Sequence, residues 1–386
     1  MQIYLDHAAT SPITSDVLEE MNKAYMSLYA NPSSAHSFGS RVEKRCKEAK
    51  KKISKYLSGN MDQMIITSGG TESNNHAIFS QGIKAFQKPD SFLTSSIEHK
   101  SVLEPMKFWS LSKELSVLNV EKSGQYSLDH LENLLKKGKN HVAFISLMHV
   151  NNETGIIQPI EEAVKLIQEY APDAFIHVDG VQAFGKISIK NILSWVDAYS
   201  ISAHKIKGPR GIGALWVKKP DKLLPLIRGG GQENNNRSGT TNTPALLGFE
   251  KAVSNCHQNM EKNNRKKHEI REKIIKELSK KVDDFHIIES ATSQVPSIIM
   301  IAFKKMKGEV LIHSLEADGI FLSAGSACNS SNSKISHVIK AMNVPSEWED
   351  GIIRVSFDEM LEDQEIVYFT DKIAKHCKQI RRWVKR

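Results

Sequence analysis

The sequence predicts an α/β protein, in which a large domain with a mostly parallel sheet flanked by helices is joined to a smaller α+β domain. Two observations predict it. Short apolar runs ended by turn or polar residues alternate with longer helical patterns, the rhythm of βα units around a parallel sheet. Past about Asn255 the pattern changes to a long charged helical stretch and then to a strand, helix, strand order.

The predicted strands of the large domain are MIIT (64–67), FLTSS (92–96), VAFISL (142–147), AFIHV (174–178), AYSIS (198–202) and GALWV (213–217). Ahead of them, Val42, Cys46, Ala49, Ile53 and Leu57 recur on one helical stripe, with Lys44, Lys47, Lys51 and Lys55 on the remaining surface. That basic face reads as solvated surface rather than as a nucleic-acid site. The stretch 255–281, NCHQNMEKNNRKKHEIREKIIKELSKK, reads as one long helix leaving the first domain. SIIMIAF, VLIHSLEADGI and GIIRVSF then supply strand, helix and strand, and KIAKHCKQIRRWVKR is a cationic helix end. The expected division is residues 15–255 for the large domain, with 1–14 and 256–386 forming the small one.

Composition sets the outer limits. The 386 residues are 40% hydrophobic and 7% aromatic, enough for a substantial core. The formal charge of +8 favours acidic partners without requiring them. Cys46, Cys256, Cys328 and Cys377 are far apart, which excludes a CxxC metal or redox pair and suggests reduced thiols. The stretch MQIYLDHAAT carries Asp6 and His7 where a secretory signal needs apolar residues, and no run approaches the roughly 18 apolar residues of a membrane span. The expectation is a cytoplasmic protein with no membrane contact.

Polar residues repeatedly follow the ends of the predicted strands, where open α/β sheets place their ligands. TSGGTESNN (67–75) makes a strand-to-helix turn whose N–H groups and hydroxyls suit a phosphate, without GxGxxG or P-loop spacing. SSIEHKS places His99 just past a strand, and MHVNNETG places Asn151 and Asn152 past another. In HVDGVQAFG, Asp179 ends an apolar strand and Gln182 follows. A buried aspartate needs a cation or several donors. Finally, SAHKIKG sets Lys205 at a strand end, where a lysine must reach water, find an anion or enter a bond that removes its charge. A cofactor with a cationic ring nitrogen, an aldehyde and a phosphate accounts for Asp179, Lys205 and the 67–75 turn together. Pyridoxal 5'-phosphate (PLP) is such a cofactor.

These segments resemble one family in order along nearly the whole chain: YLDHAAT, NPSSAHSFG, TSGGTESNN, IEHKSV, MHVNNETG, HVDGVQAFGK, SAHKIKGPRGIGAL, GGGQENNNRSGT, SAGSACNS and IRVSF. The family is the class I cysteine desulfurases, fold-type I PLP enzymes of the class V aminotransferase superfamily. The resemblance implies that Lys205 forms the Schiff base with PLP, Asp179 pairs with the pyridine nitrogen, Gln182 bonds the phenolic oxygen and His99 stacks on the ring. Thr71, Ser202 and His204 match phosphate-binding positions, and Thr240 matches one supplied across a homodimer. Asn152 and Arg354 match residues that hold the substrate carboxylate.

Cys328, among Ser326, Asn329, Ser330 and Ser331, matches the nucleophile, while Cys46 on its helical stripe is the better core thiol. The implied reaction takes L-cysteine to L-alanine and leaves a persulfide on Cys328 for an acceptor protein, with an acidic acceptor suiting the net charge. Lys205 would remove the α-proton, and His99 is a candidate acceptor of the Cys328 proton. Iron–sulfur cluster assembly, tRNA thiolation and DNA sulfur modification all draw on this family. The chain departs from it at Asn329, where threonine is common, and at Gly180 and Phe184. The competing readings are a selenocysteine lyase or aminotransferase of the same fold, which needs no Cys328, a non-catalytic sulfur-handling scaffold, and a nucleic-acid-binding protein resting on charge alone.

Overall fold

The centre of the molecule is a seven-stranded sheet whose middle strands are buried on both faces. A computed structural model describes residues 1–57, 59–137, 141–290, 293–324 and 335–384. In chain order the strands are β1 (Ile3–Tyr4), β2 (Met64–Thr67), β3 (Ser91–Ser95), β4 (Glu114–Leu118), β5 (Val142–Met148), β6 (Phe175–Asp179), β7 (Ala198–Ser202), β8 (Gly213–Val217), β9 (Phe285–Ile288), β10 (Ile298–Phe303), β11 (Ile320–Phe321), β12 (Ser323–Ala324) and β13 (Ile352–Ser356).

The large sheet has the order β2-β8-β7-β6-β5-β3-β4. Strand β8 runs antiparallel to both neighbours, and the other pairs are parallel. Two reversals leave β2 pointing the same way as β7, so the carboxyl ends of β2, β3, β5, β6 and β7 share one edge. Every residue of β6 and β7 is buried, the signature of strands covered by helices on both faces. The helix Ile160–Tyr170 shows how they are covered: Ile160, Ala163, Val164 and Ile167 form its buried stripe.

The six predicted strands of this sheet are present. Strand β4 was not anticipated, because ELSVL is an edge strand with Glu114 and Val117 exposed and lacks the apolar run of its neighbours. The stripe Val42, Cys46, Ala49, Ile53 is buried on the helix Ser37–Ser54, and Leu57 is buried just beyond its end. The single long helix expected from Asn255 is instead two, Thr243–Gln258 and Met260–Lys281. They break at Asn259 (φ −113°, ψ 7°), whose side-chain amide donates to Asn255 O at 3.1 Å while its carbonyl accepts from Asn263 N at 2.8 Å.

A second sheet, β12-β13-β10-β9, is antiparallel, and β1 pairs in parallel with β11 beside it. Ile3 and Leu5 pack there with Ile270, Ile274, Ile301, Phe303, Val355 and Phe369 in a cluster separate from the main core. The N-terminal segment is therefore held by residues more than 250 positions away, and it crosses to the large sheet only at Asp6–Ser11. Among the described residues, no helix is long and apolar enough to cross a membrane.

Glu98 ties the edge together from behind. Its Oε1 accepts from Ser95 Oγ (2.6 Å), Met148 N (2.7 Å) and Tyr126 OH (3.1 Å), joining the ends of β3 and β5, while Oε2 is buried without a partner among the described residues. Burial, reinforced by the charge of Asp179, raises the carboxyl to about 8. A carboxyl raised in the fold stabilises it most at low pH, and that contribution is lost as pH rises through the folded value. Glu98→Gln should therefore gain stability relative to the wild type between pH 5 and pH 8, by roughly 3 kcal/mol. Urea unfolding at the two pH values measures the difference; equal responses in both proteins would show that Glu98 is ionised in the fold.

Candidate active site

The shared carboxyl edge opens on a cavity of about 300 Å³ lined by His99, Asn152, Asp179, Gln182, Lys205 and Arg354, with Gly70, Thr71 and Asn74 at one end. Each strand end delivers its residue directly. β3 leads to His99, the cap of the helix Lys100–Trp109; β5 leads to Asn152; β6 ends in Asp179 with Gln182 on the following turn; β7 leads to His204 and Lys205. Arg354 arrives from the other side, on β13 of the second sheet.

Asp179 is 5% exposed. Its Oδ2 accepts from Asn74 Nδ2 at 2.8 Å and its Oδ1 from Val181 N at 3.0 Å. The other hydrogen of Asn74 Nδ2 goes to Ser101 Oγ (2.8 Å), and Ser101 Oγ in turn lies 2.8 Å from His99 Nδ1. The same Nδ1 accepts from the backbone N–H of Ser101 at 3.1 Å. Since a backbone N–H can only donate, a neutral His99 carries its proton on Nε2. Neutrality is favoured: burial lowers the imidazole, with Lys205, His337 and Lys100 adding to the effect and Asp179 opposing it.

Lys205 Nζ donates to Ala8 O (2.6 Å) and Ala9 O (2.7 Å), and Gln182 Nε2 donates to the same Ala8 O at 2.7 Å. Arg354 is 7% exposed; its Nη2 meets Asp6 Oδ1 at 2.7 Å and its Nη1 donates to Asn152 O at 3.0 Å, leaving Nε buried without a partner among the described residues. A guanidinium so fixed presents charge to the cavity from a rigid base.

Beyond Thr71 the cavity continues into a wider recess lined by Thr10, Gly69, Gly70, Thr71, Ser202 and His204. Gly69 (φ 149°, ψ −174°) holds a conformation open essentially to glycine and starts the helix Gly70–Lys84, whose first N–H groups face this recess. Ser202 Oγ is buried with no partner among the described residues, 3.7 Å from where a Cβ on Gly69 would lie. Burial, then the charges of Lys205, Arg210 and Lys186, push His204 down to about 4, and its Nδ1 lies 3.2 Å from Thr10 Oγ1.

The structure thus brings together His99, Asn152, Asp179, Gln182, Lys205 and Arg354, with Thr71, Ser202 and His204 at the recess. Thr240 is exposed and is not among the residues that line either cavity, although Arg237, three residues earlier, holds Glu72 of the recess at 2.9 Å. Cys328 lies outside the described residues, as do Ser326, Asn329, Ser330 and Ser331. The strand that leads towards them, β12, sets Ser323 opposite Arg354. Gly180 has a local reason: a Cβ there would sit 1.8 Å from the ring of Tyr199, whose hydroxyl bonds His149 Nδ1 at 2.8 Å.

Sequence reasoning missed Asp6, Asn74, Ser101 and Lys186. Asn74 falls one helical turn after Gly70 and Lys186 four residues after Gln182, spacings that put each pair on one face and could have been used.

The chain and its fold have known counterparts. The family model for class V aminotransferases matches residues 3–369. The chain is 38% identical over 381 residues to the cysteine desulfurase IscS of Dictyoglomus turgidum, covering 98% of this chain and 95% of that one. It belongs to the cysteine desulfurases of the class V aminotransferase family. The cysteine desulfurase IscS of Methanosarcina thermophila is 34% identical, over 98% of this chain and 93% of that one. Among solved structures, a NifS-like protein superposes with a TM-score of 0.91 at 31% identity, covering 98% of this chain and all of that one. SspA in complex with cysteine superposes with a TM-score of 0.80 at 32% identity, over 92% and 99%. Class V aminotransferases are PLP enzymes, as the resemblance implied.

Asn74 is the side-chain donor to the Asp179 carboxylate, beside the backbone N–H of Val181. Asn74→Ala should cost about 1–3 kcal/mol in urea unfolding of the cofactor-free protein with an unchanged m-value. A change within a few tenths of a kcal/mol would show that Asp179 finds another donor.

Proposed function

We propose that this chain removes sulfur from L-cysteine with PLP, producing L-alanine and a persulfide on Cys328 that passes to an acceptor protein. The observation that carries the reading is the convergence of Asp179, Gln182, His99 and Lys205 on one cavity, opposite Arg354.

The residues present fit PLP. The unpartnered hydroxyl of Ser202, the N-terminal turn at Gly70–Thr71 and His204 make a phosphate cradle, and Asp179 is a buried carboxylate suited to a ring nitrogen that must stay protonated. When bound, PLP supplies an aldehyde that captures amines and a ring that takes up the electron pair of a bond broken at the substrate α-carbon. Lys205, held by two carbonyls at the cavity wall, anchors the cofactor and moves the substrate α-proton. Arg354 and Asn152 receive the substrate carboxylate, charge against charge.

Cys328 then attacks the substrate sulfur as the thiolate, breaking the carbon–sulfur bond. The bookkeeping closes without an oxidant: the sulfur leaves with its own hydrogen as Cys328–S–SH, and the proton given up by the Cys328 thiol becomes the third hydrogen of the alanine methyl group. The Nε2 proton of neutral His99 suits it to deliver that hydrogen; it accepts the thiol proton only after giving up its own. In this reading the enzyme is a homodimer in which Thr240 completes the phosphate cradle of the other subunit, as its exposed position away from its own site suggests.

Purified protein incubated with L-cysteine should release alanine and carry one or more extra sulfur atoms on the Cys328 peptide by mass spectrometry under non-reducing conditions, with both lost in Cys328→Ala. Lys205→Ala should lose the visible absorption of bound PLP. Extra sulfur on Cys46, Cys256 or Cys377 in the Cys328→Ala protein would overturn the assignment of the nucleophile.

A further inference from the structure

Gln182 has a neighbour that no part of the reaction above uses. Lys186 follows it by four residues on the turn after β6 and lines a third cavity, of about 250 Å³, that shares Ala8 and Lys205 with the active site. Protein encloses the amine, although the side chain keeps some surface open to that cavity. Burial, then the charges of Lys205 and Lys267, lower it to about 7; Cys256 and Arg354 are the other groups that bear on it. Among the described residues no carboxylate forms an ion pair with Lys186. Its Nζ donates to Gln182 Oε1.

This contact and the one to Ala8 together set which way the Gln182 amide faces. An ammonium or amine hydrogen donates to Oε1, and the carbonyl of Ala8 can only accept from Nε2. The two partners leave one orientation, in which the second hydrogen of Nε2 is uncommitted and the amide lines the active-site cavity. A free primary amide flips between nearly isosteric orientations, one of which would aim an oxygen at an acceptor and repel it.

We propose that Lys186 is a positioning residue, which locks the Gln182 amide with its N–H towards the phenolic oxygen of the cofactor. The inference rests on the PLP reading and extends it to a residue that does not line the active-site cavity. A donor to the phenolic oxygen favours its charged form and eases loss of the proton it would otherwise share. Without Lys186 that donor is lost for part of the time, and the pH at which the visible band of bound PLP changes should rise.

The experiment is a pH titration of that band, in the absence of substrate, for the wild type, Lys186→Met, Gln182→Ala and the double variant. Lys186→Met should raise the midpoint by about one unit and have little further effect once Gln182 is alanine. The same shift in both backgrounds would mean that Lys186 acts by charge alone and would overturn the proposal, as would no shift. Lys186→Gln, uncharged but still able to donate, gives an independent arm and serves if Lys186→Met does not fold. A midpoint near the wild type supports positioning, and a raised one overturns it. Absence of any PLP band in the wild type would instead overturn the cofactor reading, and this inference with it.

Discussion

The short strap Leu5–Ser11 is the piece on which the site depends. Leu5 is buried against the second sheet, and Asp6 pairs at 2.7 Å with Arg354. Ala8 N donates to Ser356 Oγ at 2.8 Å, while Ala8 O receives both Lys205 and Gln182. Ser11 N then reaches His204 O at 3.0 Å. Within seven residues the strap bonds a side chain or backbone group from β13 and from the turns after β6 and β7. Asp6 is half-buried and Arg354 buried, so removing Asp6 would leave a guanidinium charged and unpaired away from water. Here it would also free the arginine and loosen the wall that holds the lysine.

The electrostatics of the cavity follow from the same crowding. Lys205, Lys186, Arg210 and Arg354 converge on a region with few carboxylates, of which Asp6 is committed to Arg354 and Asp179 to Asn74 and Val181 N. The response is visible in the groups that can give up charge: His204, His99 and Lys186 are all shifted towards their neutral forms, each first by burial and then by neighbouring cations. A pocket with surplus positive charge and neutral imidazoles is prepared for an anionic occupant, since the ligand brings the missing negative charge. Asn74 and Ser101 join the two elements that must act together, as their hydrogen bonds run from the Asp179 carboxylate to the ring nitrogen of His99.

Much of the site was legible because strands buried on both faces stand out as apolar runs, and the residue that follows each run falls at the ligand-binding edge. Asp179, Lys205, His99 and the pair Asn151 and Asn152 were all found in this way, and the family resemblance then singled out Asn152. Strand β4 was not, because an edge strand needs no continuous apolar run, and the break at Asn259 was hidden in a stretch whose helical character continues on both sides. Asp6 could be quoted as part of a motif, but nothing in its neighbourhood showed that its partner lies 348 residues away.

The sequence by itself determined the local conformations and the chemical inventory: which runs become buried strands, which turns follow them, and that an amine, a carboxylate, an imidazole and a thiol are available. These depend on side-chain polarity, spacing and backbone sterics over a few residues. Only the tertiary structure decided how that inventory is oriented and charged. The hold of Ala8 on the Gln182 amide, the pairing of Arg354 with Asp6 and the neutral bias of Lys186 each depend on a contact or a loss of solvent that appears only when distant segments pack together. Hydrogen-bond direction and desolvation are properties of that assembled environment, and no residue carries them alone.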